Sequence, residues 1–233
     1  TGMHRLGFQE EELDELFPWL SGQECMVASV FSHLAASDQS EHDTFTRDQI
    51  GRFHRIVARL KKEIGHPFLC HLLNSSGIIR FPDAQFDMVR LGLGLHGIGM
   101  AETLLPVSSL LTSISQIRSV GKGETVGYSR RGLVHRESRI ATLPVGYADG
   151  FHRNLGNGIG RVWINGSLAP VIGDVCMDMT MIDITGIEAS EGDKVEIFGR
   201  NLPASELAER AGTIPYEILT SVPERVKRVY LHE

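Results

Sequence analysis

Gly92, Gly94 and Gly97 in MVRLGLGLHGIG (88–99) form a literal G-x-G-x-x-G. A glycine-rich turn after an apolar strand lets backbone N–H groups approach a phosphate with no Cβ in the way. Two phosphate chemistries use such turns. A dinucleotide site needs a strand before the glycines, a helix after them and an acid about 20 residues on to hold the ribose. The strand pattern is present, but IGMAETLLPVSSL (98–110) contains Pro106 and passes into an alternating pattern, and TSISQIR (112–118) has no Asp or Glu. That argues against a nicotinamide or flavin enzyme. The other chemistry belongs to the mouth of a parallel-stranded barrel, where phosphate rests on the loops after the last strands. Successive strand patterns here end in NSS (74–76) and RLGLG (90–94), so Ser75 offers a hydroxyl and Gly92 an open backbone. The same glycines also suit close packing, and the residues alone leave both readings open.

Three further side chains have types suited to chemistry, each with a plainer alternative. Arg90 ends an apolar strand pattern, where a guanidinium is costly to bury without a partner; otherwise it is a surface or salt-bridge arginine. His33 ends ECMVASVFSH (24–33) and is either a site residue or a satisfied core histidine. Tyr128 in TVGYS carries a phenol, and by its segment alone it reads as an aromatic facing a β-core. Cys25, Cys70 and Cys176 are odd in number and lack metal-ligand spacing, so no metal is expected, and buried reduced thiols fit a cytoplasmic location. Net charge is −6, and the short basic stretches RLKK (59–62) and RVKR (225–228) read as solvated faces, so neither nucleic acid nor a membrane is an expected partner.

The elements that must position these groups fall into two parts. Residues 9–22 carry acids in a first turn, then Leu13, Leu16 and Phe17 at helical spacing, with Gly22 as a stop. Residues 25–34 and 67–76 are short continuous apolar runs, as in strands buried on both faces. Between them, 43–65 is the strongest helix pattern: Asp43 as cap, a stripe of Phe45, Ile50, Phe53, Ile56, Val57 and Leu60, and Gly65 as end. A short helical stretch and a strand over 86–94 follow. This alternation predicts parallel β/α units. Beyond Pro106 the period becomes two, through SLLTSISQIRSV, ETVGYSRRGLVH, SRIATLPVGY, RVWINGSLAPVIG with an Asn165-Gly166 hairpin signal, MTMIDIT, KVEIFG and RVKRVYL. Only ASELAERAG (204–212) reads as helix there. The fold class is therefore α/β followed by mostly β, with the boundary at residue 108.

Taken together, DVCMDMTMID (174–183), LPVGYADGFHR (143–153), HLLNSSGIIR (71–80), MVRLGLGLHG (88–97), FSHLAASD (31–38) and TGMHRLGF (1–8) resemble the alanine racemases, in the same order. The resemblance runs from the first residue nearly to the last, and GYADG with CMDM in one chain is specific. It implies that residues 1–108 are the C-terminal half of a (β/α)8 barrel and 109–233 an antiparallel β-domain. It also implies pyridoxal 5'-phosphate (PLP) as cofactor, interconversion of L- and D-alanine for cell-wall peptidoglycan precursors, and a head-to-tail dimer with shared active sites. Residue by residue, Tyr128 matches the catalytic tyrosine. Ser75 with the backbone of Gly92 and Leu93, and Asn74 beside it, match the phosphate site; His33 matches the histidine beside the cofactor ring. Arg90 matches the arginine at the pyridine nitrogen; a guanidinium only donates, so that nitrogen stays unprotonated and the ring is a weaker electron sink, which favours racemisation. Arg5 and Met177 match residues at the substrate carboxylate. Tyr147 and Asp178 match the entrance, with Arg153 and Asp38 further out, and Arg153 is the cation expected to offset Asp178.

The resemblance also has departures. His96 stands where the family usually has Tyr, Asp174 where many members have Arg, which predicts a more acidic entrance, and Glu224 where some have Tyr. The largest concerns lysine. Such enzymes hold PLP as a Schiff base on a lysine that is also the second proton-transfer base, yet Lys61, Lys62, Lys122, Lys194 and Lys227 match no barrel-strand end. The expectation is therefore a piece of a longer polypeptide, as in fusions of such racemases to a peptidoglycan-precursor ligase. Two alternatives stand beside it: a non-catalytic dimerisation and cofactor-shaping module, and a barrel-type PLP amino-acid decarboxylase.

Overall fold

The computed structural model describes residues 1–20, 26–99 and 104–231. The chain divides into two compact units, Thr1–Leu95 with Gly99–Leu104, and His96–Ile98 with Leu105–Glu233. No helix among the described residues is long and apolar enough to cross a membrane.

In the first unit a 3-10 turn at Glu10–Glu12 leads into α1 (Leu13–Leu20), whose first-turn acids Asp14 and Glu15 suit the positive end of the helix dipole. The expected Gly22 stop and Cys25 lie outside the described residues. Strand β1 (Ser29–Phe31) pairs in parallel with β2 (Leu69–His71), in the register Ser29↔Leu69, Val30↔Cys70, Phe31↔His71. Between them runs α2 (Asp43–Glu63), followed after β2 by the short α3 (Ser75–Arg80). Asp43 is not the cap of α2: His42 holds that position, and the Asp43 carboxylate instead accepts from Arg80 at 2.6 Å. The helix ends at Glu63, before Gly65. Its buried face is Thr46, Gln49, Phe53, Val57 and Leu60, while Phe45 is exposed. A stripe of 46, 49, 53, 57 and 60 steps by three and four, so two polar residues occupy positions that hydrophobicity alone would not select. The core gathers Phe53, Val57 and Leu60 with Cys70, Leu72, Leu73 and Phe81.

The strand expected over 86–94 is only partly realised. Asp87 N–H donates to Cys70 O and Arg90 N–H to Leu73 O, both at 3.0 Å, and His71↔Met88 form one parallel bridge. Past Arg90 the ladder stops and Leu93–His96 form a 3-10 turn. The cause is a partner from another segment: the N–H groups of Gly92 and Gly94 turn to the Ser75 hydroxyl instead of a neighbouring strand.

The second unit is built from antiparallel sheets. One has the order β10-β7-β4, with β4 (Gln116–Val120) and β10 (Thr180–Asp183) flanking β7 (Ser138–Leu143). Another has the order β3-β11-β8-β9, from β3 (Leu110–Ser113), β8 (Arg161–Ile164), β9 (Ser167–Pro170) and β11 (Lys194–Phe198). A small ribbon pairs β5 (Thr125–Val126) with β6 (Gly132–Leu133). The β8–β9 hairpin turns at Asn165 (φ 44) and Gly166 (φ 85), the double positive φ that a two-residue turn demands. The interior, including Ala141, Leu143, Phe151, Val162, Ile164, Ile182 and Val195, is fully buried.

Two expectations fail at the C-terminal end. Besides α4 (Ala204–Ala211) there is a second helix, α5 (Pro215–Ser221), and RVKRVYL (225–231) forms no strand. Helix α5 has only 7 residues, too few for periodicity to declare itself, and Pro223 stops it. Arg225 then spends its guanidinium on ion pairs rather than lying along a sheet edge.

Candidate active site

In the first unit Arg90 is the centre. The backbone bonds of 87–90 to β2 bring its guanidinium across the C-terminal ends of β1 and β2. Nη1 donates to His71 Nδ1 at 2.6 Å and to His71 O at 3.1 Å. Nη2 donates to Ser32 O at 2.7 Å, His33 Nδ1 at 3.2 Å and Leu72 O at 3.2 Å. The sequence argument that such an arginine needs partners is met without a carboxylate among these contacts: strand-end carbonyls and two imidazoles share it. Phe31 completes the set, stacked on His71 with ring centroids 5.1 Å apart and lying 5.2 Å from the Arg90 guanidinium carbon.

This geometry decides the charge of both histidines. A guanidinium has no lone pair to offer, so each Nδ1 accepts and each ring proton sits on Nε2. Burial, then the positive charge of Arg90, holds both His33 and His71 below the usual 6.5, and Arg5 adds to the effect at His33. Depressed folded values mean that the stability they carry is present above pH 6.5 and is lost as pH falls through the folded values. We expect ring 15N shifts to show both rings titrating below 6.5, with the denaturant midpoint falling as pH drops from 6.5 towards the folded values. A ring already cationic at pH 6.5 would contradict the assignment.

Gln49, buried on α2, holds the segment that carries His33: its Oε1 accepts from Ala35 N–H at 2.9 Å and its Nε2 donates to His33 O at 3.2 Å. Neither Gln49 nor His71 was singled out from the sequence. The legible signals were a polar residue at stripe spacing in α2, and a histidine in the strand that ends in the NSS turn.

Beside Arg90, the Ser75 hydroxyl oxygen accepts from Gly92 N–H at 2.9 Å and from Gly94 N–H at 3.3 Å. One oxygen collecting two backbone N–H groups is the donor set an anionic oxygen would use. Asn74 supports it: Oδ1 accepts from Gly77 N–H at 3.0 Å and from Ser37 Oγ at 2.8 Å, tying the loop after β2 to the loop after β1. Leu93 opens the 3-10 turn beyond the glycines. Arg5 is exposed and near enough for its charge to act on His33 and Arg90. Asp38 and His96 are also exposed.

In the second unit, Tyr128 follows Gly127 (φ 79) and begins a 3-10 turn (Tyr128–Arg130) in which Ser129 and Arg130 both have φ 55. Its side chain is 70% exposed, so it is not a core aromatic. It borders an open pocket of about 590 Å³ with Val126, Cys176, Met177, Asp178 and Met179. The CMDM segment lines this pocket, and GYADG pairs with it through the backbone. Tyr147 N–H donates to Cys176 O and Ala148 N–H to Met177 O, each at 3.0 Å. A Cβ on Gly146 would lie 2.3 Å from Cys176 O and 2.4 Å from Met177 O, so only glycine permits this approach.

The charges differ from the expected arrangement. Arg153 does not offset Asp178; it pairs with Asp174 at 3.3 Å. The cation at Asp178 is Arg225, whose Nη2 reaches Asp178 at 2.7 Å while its Nε donates to Asp149 at 2.9 Å. Asp149 also accepts from Gly146 N–H at 2.9 Å, so Arg225 couples GYADG to CMDM. Nor does Asp174 make the surface more acidic, because its side chain is only 7% exposed and is shared by Arg131 and Arg153. The Asn157 amide, then these two cations, hold its carboxyl below the usual carboxylate range. Glu224 is exposed. Arg225 and Arg131 escaped the sequence reading because each lies in a run of charged residues with no distinguishing spacing.

The description "Alanine racemase, N-terminal domain" matches residues 1–99 and "Alanine racemase, C-terminal domain" matches residues 107–230. Alanine racemase 2 of Caldanaerobacter subterraneus is 37% identical over 248 residues, covering 100% of this chain and 63% of that protein. Alanine racemase 1 of Clostridium acetobutylicum is also 37% identical, covering 99% and 63%. The chain thus spans about 63% of the length of the curated relatives it matches. Among solved structures, the alanine racemase of Streptomyces lavendulae matches with a TM-score of 0.93 at 31% identity, covering 100% of this chain and 64% of its own. That of Bartonella henselae, with covalently bound pyridoxal phosphate, matches with a TM-score of 0.89 at 33% identity, covering 99% and 64%. With both domain descriptions matched along nearly its whole length, the chain belongs to the alanine racemase family.

Proposed function

We propose that this chain forms the greater part of a PLP-dependent alanine racemase, with residues 1–108 contributing the second half of the cofactor barrel and 109–233 the β-domain. The observation that carries the reading is the pair of donor sets in the first unit: Gly92 and Gly94 N–H groups on the Ser75 hydroxyl, beside an arginine that orients two neutral histidines. A phosphate oxygen suits the first set. A guanidinium that can only donate suits an unprotonated ring nitrogen, and this favours racemisation over decarboxylation. Bound PLP supplies an electron sink for the α-carbon of an attached amino acid.

The chain's residues do the rest. Racemisation takes a proton from one face of the α-carbon and returns one to the other, which requires two acid/base groups facing each other. Tyr128, exposed beside Met177, is the one this chain provides; Arg5 and the Met177 backbone hold the substrate carboxylate. Tyr147, Asp178, Arg153 and Asp38 line the approach. The second base is a lysine; none of Lys61, Lys62, Lys122, Lys194 or Lys227 matches a barrel-strand end in the sequence, so on this reading it comes from outside these residues. We further propose that the exposed Tyr128 face serves the barrel of a second copy, giving a head-to-tail dimer with shared sites, and that the product D-alanine feeds cell-wall synthesis in the cytoplasm. The 233 residues alone are inactive on this reading.

The test uses the full-length gene product with L-alanine. D-alanine should appear with PLP bound, and no carbon dioxide should be released. Carbon dioxide without D-alanine would replace the racemase reading by the decarboxylase.

A further inference from the structure

We propose that Asp174 is a positioning residue for Tyr128, which clamps the Tyr128 turn, the 153–157 loop and the CMDM segment to one buried carboxylate. Three donors converge on it from two other segments. Asn157 Nδ2 lies 2.7 Å from Oδ1, Arg131 Nη1 3.5 Å from Oδ1, and Arg153 Nη2 3.3 Å from Oδ2. Arg131 closes the Tyr128 turn through its own backbone, donating its N–H to Tyr128 O at 3.3 Å. One residue thus joins the turn to the buried acid at both its backbone and its side chain.

The backbones themselves leave no slack. A Cβ on Gly173 would lie 2.6 Å from Val126 O, and one on Gly132 would lie 2.7 Å from Val126 O and 2.9 Å from Gly173 N. The strands leading into and out of the Tyr128 turn therefore rest directly on the residue before Asp174, with no side chain between them to absorb a shift. Asn157 N–H donates to Gly173 O at 2.8 Å, which fixes the third loop to the same point. Met177, three residues on, shares the pocket with Tyr128. A turn with Ser129 and Arg130 at positive φ persists only where its surroundings over-determine it. Asp174 provides that constraint. Its low exposure and its three donors also explain why an acid is tolerated there, since a buried carboxylate needs paired charge and hydrogen bonds.

The kinetic part of the proposal rests on the racemase reading; the mechanical part does not. The test is Asp174→Asn in the full-length gene product, which keeps an acceptor for Asn157 and removes the charge that holds Arg131 and Arg153. Amide hydrogen exchange across 127–133 should rise about tenfold. The kcat for alanine should fall about tenfold or more with KM nearly unchanged, because displacing an acid/base group by a fraction of an ångström costs rate rather than binding. Arg131→Gln should reproduce both effects, and the double variant should be no worse than either single. Arg131 is 60% exposed, so its variant remains informative if Asp174→Asn unfolds. Unchanged exchange at 127–133, additive effects, or a KM rise at constant kcat would each overturn the clamp. If the wild-type protein makes no D-alanine, the racemase reading fails while the exchange result still decides the mechanical claim.

Discussion

On the proposed function, Tyr128→Phe is expected to lower the rate of alanine racemisation by about a thousandfold in the full-length gene product while leaving PLP absorbance intact. The size follows from what is removed. Positioned acid/base groups contribute roughly 10²–10⁴ in rate, and the phenol is the group proposed to fill that role from the β-domain. The side chain is 70% exposed and lies at the rim of a pocket, so deleting one oxygen leaves no core cavity and no orphaned buried donor. Folding and cofactor content should therefore stay as they are, and alanine should still bind through Arg5 and the Met177 backbone. Steady-state kinetics with a spectrum of the bound cofactor reads all of this. Loss of PLP, or a rate within a few fold of wild type, would make Tyr128 structural or incidental.

Arg90→Ala has the second largest effect, and stability carries it as much as activity. The guanidinium satisfies three strand-end carbonyls, at Ser32, His71 and Leu72, and two imidazole nitrogens. Removing it strands acceptors at the mouths of two parallel strands. Since each charge-assisted bond is worth about 1.5–3 kcal/mol and the cavity admits some water, a loss of about 3 kcal/mol is expected in denaturant unfolding. Arg90→Lys should recover less than half of that, because one ammonium on a flexible stem cannot span acceptors on both β1 and β2 as a planar fork does. His33 and His71 should then titrate nearer their ordinary value, visible in the same 15N experiment. A stability change below about 0.5 kcal/mol would mean that these contacts are not what holds the strand ends together.

The parallel pairing, the long helix α2 and most strands of the second unit were legible because each depends on local pattern: short apolar runs, a stripe stepping by three and four, alternation with turn signals. The segment around Gly92 and the helix α5 were not. In the first, two N–H groups leave the ladder for a hydroxyl contributed by another loop; in the second, seven residues are too few to show a period. The same division runs through the site. Ser75, Arg90, His33 and Tyr128 stood out because their motifs are contiguous. His71, Gln49, Arg131 and Arg225 act through partners from 3 to 76 residues away, and nothing in a linear string marks that distance.

Taken by itself, the order of residues determined which family this chain belongs to and which side chains are the candidates for proton transfer and phosphate binding. Only the folded arrangement decided their charge states and partners: that two histidines share one arginine, that Arg153 answers to Asp174 rather than Asp178, and that Asp174 is an anchor instead of an exposed acid. The reason is physical. Chemical type is a property of a residue, whereas burial and hydrogen bonding depend on which distant segments meet around it.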